Sequence, residues 1–194
     1  MGLIHLSSVV KLLDSARNRQ AVLLVGNKGT GKTMLAKRLA YCAQPSLNEL
    51  EDIDRYQKLA GLKQHVTIET PFRAPHHTCS KQAIEGSIIK KEKGDKWLPG
   101  EVHLAHGGIL FLDDVDEFQT KVLEVAVNSW RDRKTSYTRN MEHDGIVEPV
   151  TLNQPCDFAL IMSTTFEGLN KLRSKFEKLF SEVVIVEIHD NVEQ

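Results

Sequence analysis

Apolar residues near the start of the chain recur three and four positions apart over residues 6–17, which is the spacing of one face of an α-helix. A short, wholly apolar run follows over residues 21–25, and its length is typical of a buried β-strand. A glycine-rich segment then precedes a second helical pattern over residues 32–42. The chain is therefore predicted to begin with a helix, a buried strand, a glycine-rich turn and another helix.

The rest of the chain also alternates between helical spacing and short apolar runs. This pattern predicts helices over residues 46–60, 117–131 and 169–180, a short helical piece after residue 80, and strands over residues 66–68, 108–112, 158–162 and 183–188. Strands that alternate with helices are typical of an α/β fold around a mostly parallel sheet. Because 194 residues suit one domain, we expect residues 1–194 to form a single α/β three-layer sandwich with a five-stranded sheet.

Three segments interrupt this alternation. Residues 136–138 and 146–152 flank an Asp144-Gly145 pair, a dipeptide that favours a tight turn, so a β-hairpin insertion is predicted there. The two prolines of the string PFRAPHH predict an irregular stretch. The lysine-rich residues 90–96, KKEKGDK, predict an exposed loop.

Composition excludes several function classes. Lys and Arg number 25 and Asp and Glu 26, so a net charge of −1 provides no overall attraction to nucleic acid or anionic lipid. The apolar runs are too short for a membrane span, and the helical spacing at the start differs from a signal peptide. Cys42, Cys79 and Cys156 are odd in number and widely spaced, which argues against disulfides or structural zinc. A cytoplasmic protein is expected.

The glycine-rich segment carries the most informative motif. It matches GxxxxGK[ST] between a strand and a helix, with the residues Gly26, Asn27, Lys28, Gly29, Thr30, Gly31, Lys32 and Thr33. Glycines let successive N–H groups point at an anion, and the start of the helix adds partial positive charge. In this motif Lys32 reaches the β- and γ-phosphates and Thr33 binds Mg²⁺, so a P-loop NTPase is predicted. The structural alternative is a turn that binds nothing.

A buried strand that ends in acids is the expected partner of such a loop, because Mg²⁺ needs a carboxylate beside it. The string GILFLDD ends in Asp113 and Asp114. We predict that Asp113 organises Mg²⁺ and its waters and that Asp114 polarises the attacking water. The alternative is that acids after a strand only cap a helix, a role that Asp116 suits.

A hydroxyl at the end of the strand over residues 158–162 is a third candidate. Ser163, Thr164 and Thr165 follow this strand, where a hydroxyl can bind the γ-phosphate or the attacking water. We select Thr165 as the catalytic candidate. The alternative is an ordinary turn hydroxyl, since Ser and Thr are common at strand ends.

Two long strings resemble a known family. PFRAPHHT and PGEVHLAHGGILFLDDVDEF are similar to motifs of the AAA+ ATPases of the magnesium chelatase I-subunit and ComM-like family, and LEDIDRYQKLAGL extends the likeness toward the ComM-like branch. The resemblance implies an ATP-hydrolysing module that uses Mg²⁺ and assembles into a ring, commonly a hexamer. Family members are associated with DNA branch migration or with metal insertion into a porphyrin. DNA or a protein is therefore the implied partner.

The resemblance also implies site residues. By motif match, the loop from Gly26 to Thr33 and the pair Asp113 and Asp114 correspond to the nucleotide and magnesium site of the family. Thr165 corresponds to a polar sensor residue, which is often Asn in the family. These assignments agree with those made from the residue chemistry.

The sequence departs from the family at three places. The second acid is usually Glu, and Asp114 is one methylene shorter, which changes its reach. No arginine stands in register before the last strand, where Arg173, Lys175 and Lys178 either substitute for it or form an exposed basic face. The sequence stops after that strand, so we expect no helical lid domain. Two hypotheses follow: an ATPase that remodels DNA or a protein in an oligomer, and an assembly module that binds ATP with little hydrolysis.

Histidines and tryptophans permit further interpretations. The histidines of the family strings form two pairs: His76 with His77, and His103 with His106. We favour a structural or nucleotide-proximal polar network over a transition-metal site, because no cysteine or carboxylate spacing accompanies them. Trp97 and Trp130 are either packing residues or stacking platforms for bases.

Positive charge is concentrated in two local clusters. They comprise Lys90, Lys91, Lys93 and Lys96, and Arg131, Arg133, Lys134 and Arg139. In a ring these residues can hold a nucleic-acid backbone, and the alternative is ordinary solvated loops.

Overall fold

The computed structural model describes residues 6–62, 69–89, 96–143, 146–175 and 182–189. Its helices are α1 (Leu6–Arg17), α2 (Lys32–Leu39), α3 (Leu47–Leu59), α4 (Lys81–Glu85), α5 (Glu101–Leu104), α6 (Thr120–Asp132) and α7 (Phe166–Lys175). Its strands are β1 (Ala21–Gly26), β2 (Phe72–Arg73), β3 (Gly86–Ile89), β4 (Lys96–Pro99), β5 (Ile109–Leu112), β6 (Lys134–His143), β7 (Ile146–Pro155), β8 (Ala159–Thr164) and β9 (Val183–Ile188). Within these ranges, no helix is both long and apolar enough to cross a membrane.

Five strands form one sheet in the order β2-β5-β8-β1-β9, and every neighbouring pair is parallel. In the centre of the sheet, Leu23 of β1 pairs with Met162 of β8 and with Ile185 of β9. The carboxyl ends of β1, β5 and β8 therefore meet at one edge, which is where open parallel sheets bind ligands. The predicted α/β fold with a five-stranded sheet is confirmed.

Helices cover both faces of this sheet. Leu23 of β1 belongs to an apolar cluster with residues of α6 and α7, such as Leu123. The next residue, Leu24, belongs to a second cluster with Leu12 of α1 and Leu39 of α2. Successive side chains of a strand point to opposite faces, so β1 contributes to both cores and the sandwich has three layers.

One prediction was wrong for the residues that form the edge strand β2. The PFRAPHH segment was expected to be irregular, but Phe72 and Arg73 pair with β5, and the carbonyl of Pro71 accepts a hydrogen bond from Ile109 N at 2.8 Å. Because β2 lies at the sheet edge, the missing N–H of a proline beside it disturbs no ladder. The predicted strand over residues 66–68 lies outside the described residues.

Two hairpins project from the sandwich. The predicted hairpin is confirmed as β6 and β7, which are longer than expected, and its Asp144-Gly145 turn lies outside the described residues. The pairing of β3 with β4 was missed, because residues 86–89 were expected to belong to a helical piece or a loop. Residues 90–95 of the lysine-rich segment also lie outside the described residues, while Lys96 begins β4. The Tyr137 hydroxyl of β6 donates to the Glu85 carbonyl, so the bases of the two hairpins are linked.

Three boundaries near the sheet edge also differ from the prediction. Helix α6 begins at Thr120 rather than residue 117, because Val115–Glu117 form a 3₁₀ turn and Gln119 is the N-cap. Asp116 is therefore no helix cap. Strand β8 continues through Thr164, two residues beyond its predicted end, and α7 begins directly afterwards at Phe166.

Candidate functional site

The loop after β1 has the backbone that the phosphate motif requires. Gly26 leaves no room for a side chain, because a Cβ there would stand 2.5 Å from the Ile188 carbonyl oxygen of β9. Gly29 and Gly31 have φ angles of 85° and 89°, in the left-handed region that glycine adopts without strain. The loop therefore curls tightly and leads into α2, whose N-cap is Gly31.

Lys32 is the first residue of α2, and only 7% of it is exposed. Its Nζ donates to the carbonyl oxygens of Gly26 and Asn27, both at 2.8 Å. The Thr30 hydroxyl also donates to the Asn27 carbonyl, at 3.0 Å. These bonds hold the ammonium group against the loop beside the start of α2, where positive charge and backbone N–H groups favour an anion.

Thr33 connects this loop to the acid pair. Its Oγ1 donates to Oδ2 of Asp113, which follows β5, at 2.8 Å. The other carboxylate oxygen of Asp113 accepts from the hydroxyl of Ser163 in β8. Ser163 Oγ in turn accepts from the backbone N–H of Asp114 at 3.2 Å. The ends of β1, β5 and β8 thus bring one carboxylate and two hydroxyls together.

Asp114 has an unusual backbone and an altered acidity. Its φ and ψ are 49° and 56°, a left-handed conformation that few non-glycine residues adopt. Burial raises the pKa of its carboxyl, and the negative charges of Asp113, Glu117 and Asp116 raise it further, while Lys28 acts in the opposite direction. A carboxylate with a raised pKa accepts a proton more readily.

The donor set fits a magnesium ion with a nucleotide. Thr33 and Asp113 supply a hydroxyl and a carboxylate, and Mg²⁺ prefers such hard oxygen ligands. Mg²⁺ in phosphate sites is typically held by one or two protein oxygens together with waters and phosphate oxygens, so this small set suffices. The curled loop and Lys32 lie beside these two ligands, and their N–H and ammonium groups suit negatively charged phosphates.

The remaining predicted residues are divided between the loop and the start of α7. Asn27, Lys28 and Gly29 form the exposed part of the loop. Thr165 lies between β8 and α7, and its Oγ1 accepts a hydrogen bond from Gly168 N at 3.0 Å, which is the geometry of a helix cap. Of the three hydroxyls that follow the apolar run over residues 158–162, the one in contact with Asp113 is that of Ser163 and not that of Thr165.

The two histidine pairs have different surroundings. His103 and His106 are buried, and a network of backbone and side-chain bonds holds them. His103 Nδ1 accepts from Gly100 N at 3.2 Å, which leaves Nε2–H to donate to Thr135 Oγ1 at 2.8 Å. Burial lowers the pKa of His103 to about 3, so this ring is neutral. His106 Nδ1 accepts from Asp157 N at 2.9 Å. The predicted structural network is confirmed for this pair.

His76 and His77 lie nearer the acid pair. Their rings are 4.1 Å apart, and His77 Nε2 is 3.4 Å from Oε2 of Glu117, in the 3₁₀ turn after Asp114. Across the described residues, no group of three or more His, Cys, Asp or Glu side chains is arranged to hold a metal ion.

Both tryptophans are partly buried and contact other residues of the fold. Trp97 contacts the His103 ring at 4.8 Å, and Trp130 Nε1 donates to the Arg19 carbonyl at 2.8 Å. Two arginines of the second basic cluster form ion pairs, Arg131 with Glu182 and Arg133 with Asp157, and the side chain of Arg139 lies outside the described parts of the chain.

The structure describes only part of the set of basic residues that were considered as substitutes for the arginine that the family carries before its last strand. Arg173 is exposed on α7. The Lys175 side chain and Lys178 lie outside the described parts of the chain. Their role stays a prediction.

Comparison with known proteins supports the motif resemblance. A family model described as magnesium chelatase, subunit ChlI, matches residues 10–167, which include the loop after β1 and the acid pair. The chain belongs to this family. Competence protein ComM of Haemophilus influenzae is 38% identical over 118 residues, which are 58% of this chain and 22% of that protein. The uncharacterized protein YifB of Salmonella typhimurium is 42% identical over 107 residues, which are 53% of this chain and 20% of that protein. The chain spans about a fifth of the length of these two relatives.

Two solved structures share the fold. A chain from the complex between subunits BchI and BchD of magnesium chelatase matches 97% of this chain and 58% of its own length, with a TM-score of 0.60 and 16% identity. NtrX from Brucella abortus matches 97% of this chain and 38% of its own length, with a TM-score of 0.54 and 18% identity. At these identities the likeness shows the fold alone.

Proposed function

We propose that this chain is the ATP-binding core of an AAA+ type ATPase that works with Mg²⁺. The observation that carries this proposal is the 2.8 Å contact between Thr33 of the glycine-rich loop and Asp113 at the end of β5. Two motifs that lie 80 residues apart in the sequence supply the two groups. A turn that binds nothing would not need a carboxylate at this point, whereas a magnesium nucleotide site does.

The residues of the site take the following proposed roles. The amides of the loop and the start of α2 bind the phosphates, and Lys32 exchanges the carbonyls of Gly26 and Asn27 for the β- and γ-phosphate oxygens. Thr33 and Asp113 would hold Mg²⁺. When bound, the ion neutralises negative charge on the phosphate oxygens.

Asp114 is proposed to orient the attacking water and to accept its proton. The water oxygen forms a bond to the γ-phosphorus, the bond from that phosphorus to the bridging oxygen breaks, and ADP and phosphate result. Thr165 is the proposed hydrogen-bonding partner of the γ-phosphate or the water. Its bond from Gly168 N leaves the Thr165 O–H proton available to a further acceptor.

A second candidate function is a nucleotide-dependent assembly module that binds ATP with little hydrolysis. The shorter side chain of Asp114 favours it, because a carboxylate one methylene shorter than the usual glutamate has a changed reach toward the attacking water. Tight binding needs the loop, Lys32 and Asp113, whereas turnover also needs a well-placed base.

Oligomerisation and a partner are proposed from the relatives. The BchI and BchD subunits of magnesium chelatase form a complex, and we infer that this chain also works in an oligomer, as a ring in which neighbours share nucleotide sites. The relative named a competence protein is consistent with DNA as the remodelled partner, with protein as the alternative. The cysteines Cys42, Cys79 and Cys156 are all free, which suits the cytoplasm.

Replacing Asp114 by asparagine tests the proposed role of Asp114 as the base of ATP hydrolysis. We expect Asp114→Asn to lower steady-state ATP turnover about 100-fold or more, because general base catalysis is lost. The affinity for ATP, measured by calorimetry, is expected to change less than about threefold, because the phosphate contacts remain. Turnover should be measured over a range of protein concentrations, and a rate per chain that rises with concentration indicates sites completed by neighbours.

The unaltered chain decides between enzyme and assembly module in the same assay. ATP binding without measurable turnover at any concentration would overturn the ATPase proposal and support the assembly module. Turnover that persists in Asp114→Asn would show that another group activates the water.

A further inference from the structure

We propose that Thr164 is a positioning residue for Asp114 and acts through Asp116. This role rests on the ATPase function proposed above, where Asp114 is the base. In this role the hydroxyl of Thr164 binds a side chain of the protein and does not bind the nucleotide. Thr164 lies at the end of β8, and its side chain is fully buried.

Strand β8 holds the segment after β5 at two points. At the first, Ser163 Oγ contacts the Asp113 carboxylate and accepts from Asp114 N at 3.2 Å. At the second, Thr164 Oγ1 donates to Oδ1 of Asp116 at 2.6 Å. Asp114 and the buried Val115 lie between these two contacts. The path of the backbone through Asp114 is therefore determined from β8 on both sides.

Asp114 needs such support because of its conformation. A non-glycine residue with a φ of 49° and a ψ of 56° keeps this strained backbone only where its surroundings enforce it. The turn that follows closes with hydrogen bonds from Glu117 N to Asp114 O at 2.9 Å and from Phe118 N to Val115 O at 3.3 Å. Loss of the Thr164 contact would release Asp116 and let Asp114 relax, which moves the carboxylate away from the attacking water.

Gly168 of α7 provides an independent observation at the same contact. A Cβ at Gly168 would stand 2.2 Å from Thr164 Oγ1 and 2.5 Å from Asp116 Oδ1. Glycine is unfavourable inside a helix, so its presence in the first turn of α7 is explained by the space that this pair occupies. The α7 helix closes over the pair, and Thr165 holds Gly168 there through its N–H.

Two variants break this contact from opposite sides, and two others serve as controls. Thr164→Val removes the hydroxyl and keeps the shape, whereas Gly168→Ala places a methyl group between Thr164 and Asp116. Thr164→Ser retains the hydroxyl, so it should preserve both the turn after Asp114 and ATP turnover. Thr135→Val removes another buried hydroxyl, the partner of His103 in β6, and is the matched control away from the site.

Two readouts separate positioning from general stability. Without nucleotide, we expect amide hydrogen exchange at Glu117 and Phe118 to accelerate about tenfold or more in Thr164→Val and in Gly168→Ala, because local opening of the turn becomes easier. With ATP, we expect kcat to fall about tenfold or more while KM changes less than about twofold, because only the placement of the base is altered. Thr164→Ser should stay within about threefold of the unaltered chain in both measurements, because its hydroxyl still binds Asp116.

Several outcomes would overturn this role. The role would be overturned if amide exchange and kcat of Thr164→Val matched those of the unaltered chain. It would also be overturned if amide exchange in Thr164→Val became faster over the whole chain, to the same extent as in Thr135→Val. An unaltered chain without ATP turnover would overturn the ATPase function instead. Amide exchange, which needs no nucleotide, would then still decide whether Thr164 holds the turn.

Discussion

Replacing Lys32 by methionine is expected to abolish ATP hydrolysis by this chain, with kcat/KM lowered about 1000-fold or more. Lys32 is 7% exposed, and two carbonyl groups of the loop already hold its ammonium group at 2.8 Å. The charge is therefore preorganised beside the proposed phosphate site, where it acts without reorienting solvent. Methionine keeps the apolar length of the side chain and removes the charge. Steady-state ATPase kinetics and calorimetric titration with ATP measure the effect.

An exposed lysine on the same helix provides the matched control. Lys37 lies on the exposed face of α2, so Lys37→Met should leave turnover and ATP affinity unchanged. Thermal unfolding of both variants shows whether the fold is intact. A folded Lys32→Met variant that binds and hydrolyses ATP like the unaltered chain would contradict the assignment of the loop as the phosphate site.

Replacing Arg19 by methionine is expected to lower the free energy of unfolding by about 3 kcal/mol. The Arg19 guanidinium forms two hydrogen bonds with the Glu49 carboxylate and donates to the Asp157 carbonyl at 3.0 Å. The side chains of Arg19 and Glu49 are only 11% and 15% exposed. These bonds join the turn before β1, the start of α3 and the residues before β8. Without Arg19, the Glu49 carboxylate loses its cation while it stays largely shielded from water.

Chemical denaturation measures this loss, and an exposed ion pair provides the control. Lys58 and Asp54 form a pair along α3, in which the lysine side chain is 57% exposed. Lys58→Met should therefore change the free energy of unfolding by less than about 0.5 kcal/mol. Equal effects of Arg19→Met and Lys58→Met would contradict a special role for the buried pair.

The stabilisation by Glu49 should also depend on pH. Burial acts to raise the pKa of Glu49, but hydrogen bonds from Arg19 and Ser46 outweigh burial and lower the pKa to about 2. Since the pKa is lower in the folded chain than the ordinary value of 4.5, the contribution is complete above pH 4.5 and is lost as the pH falls toward 2. The stability difference between the unaltered chain and Glu49→Gln should shrink over this interval. A constant difference would contradict the pairing.

The elements with strong local patterns were predicted closely. Helix α1 and strand β9 have the predicted bounds, and the capping box of α3 at Ser46 and Glu49 agrees with a helix that begins there. Apolar residues at helical spacing, or in a short continuous run, indicate which side chains are buried, and this burial stabilises the helix or strand. The α/β fold with a parallel sheet followed from their alternation, whereas the identity of the fifth strand, β2, did not.

Short strands could not be predicted in the same way. Phe72 and Arg73 form only two residues of strand, and they are held by pairing with β5, by the Arg73 ion pair with Glu101 and by the stacking of Phe72 on Phe111. Residues 86–89 pair with β4 across a segment of lysines. Such contacts come from distant parts of the chain, so no local period reveals them.

The same distinction applies to the candidate site, because its motif residues were predicted from the sequence and the contacts of its hydroxyl groups were not. Lys32, Thr33 and Asp113 were found from two motifs, because the chemistry of a magnesium nucleotide requires those side chains at the ends of two strands. The choice among Ser163, Thr164 and Thr165 depended on where β8 ends and on which neighbour each hydroxyl meets. The structure brings Ser163 to Asp113, Thr164 to Asp116 and Thr165 to the start of α7.

The sequence by itself determined the family, the α/β fold and the two motifs of the proposed site, because residue spacing and local periodicity are properties of neighbours along the chain. The tertiary structure alone decided that β8 lies between β1 and β5, and hence which hydroxyls meet the acids after β5. It also decided the left-handed backbone of Asp114. These features arise where strands far apart in sequence become adjacent, and hydrogen bonds across that junction hold a conformation that the local sequence does not favour.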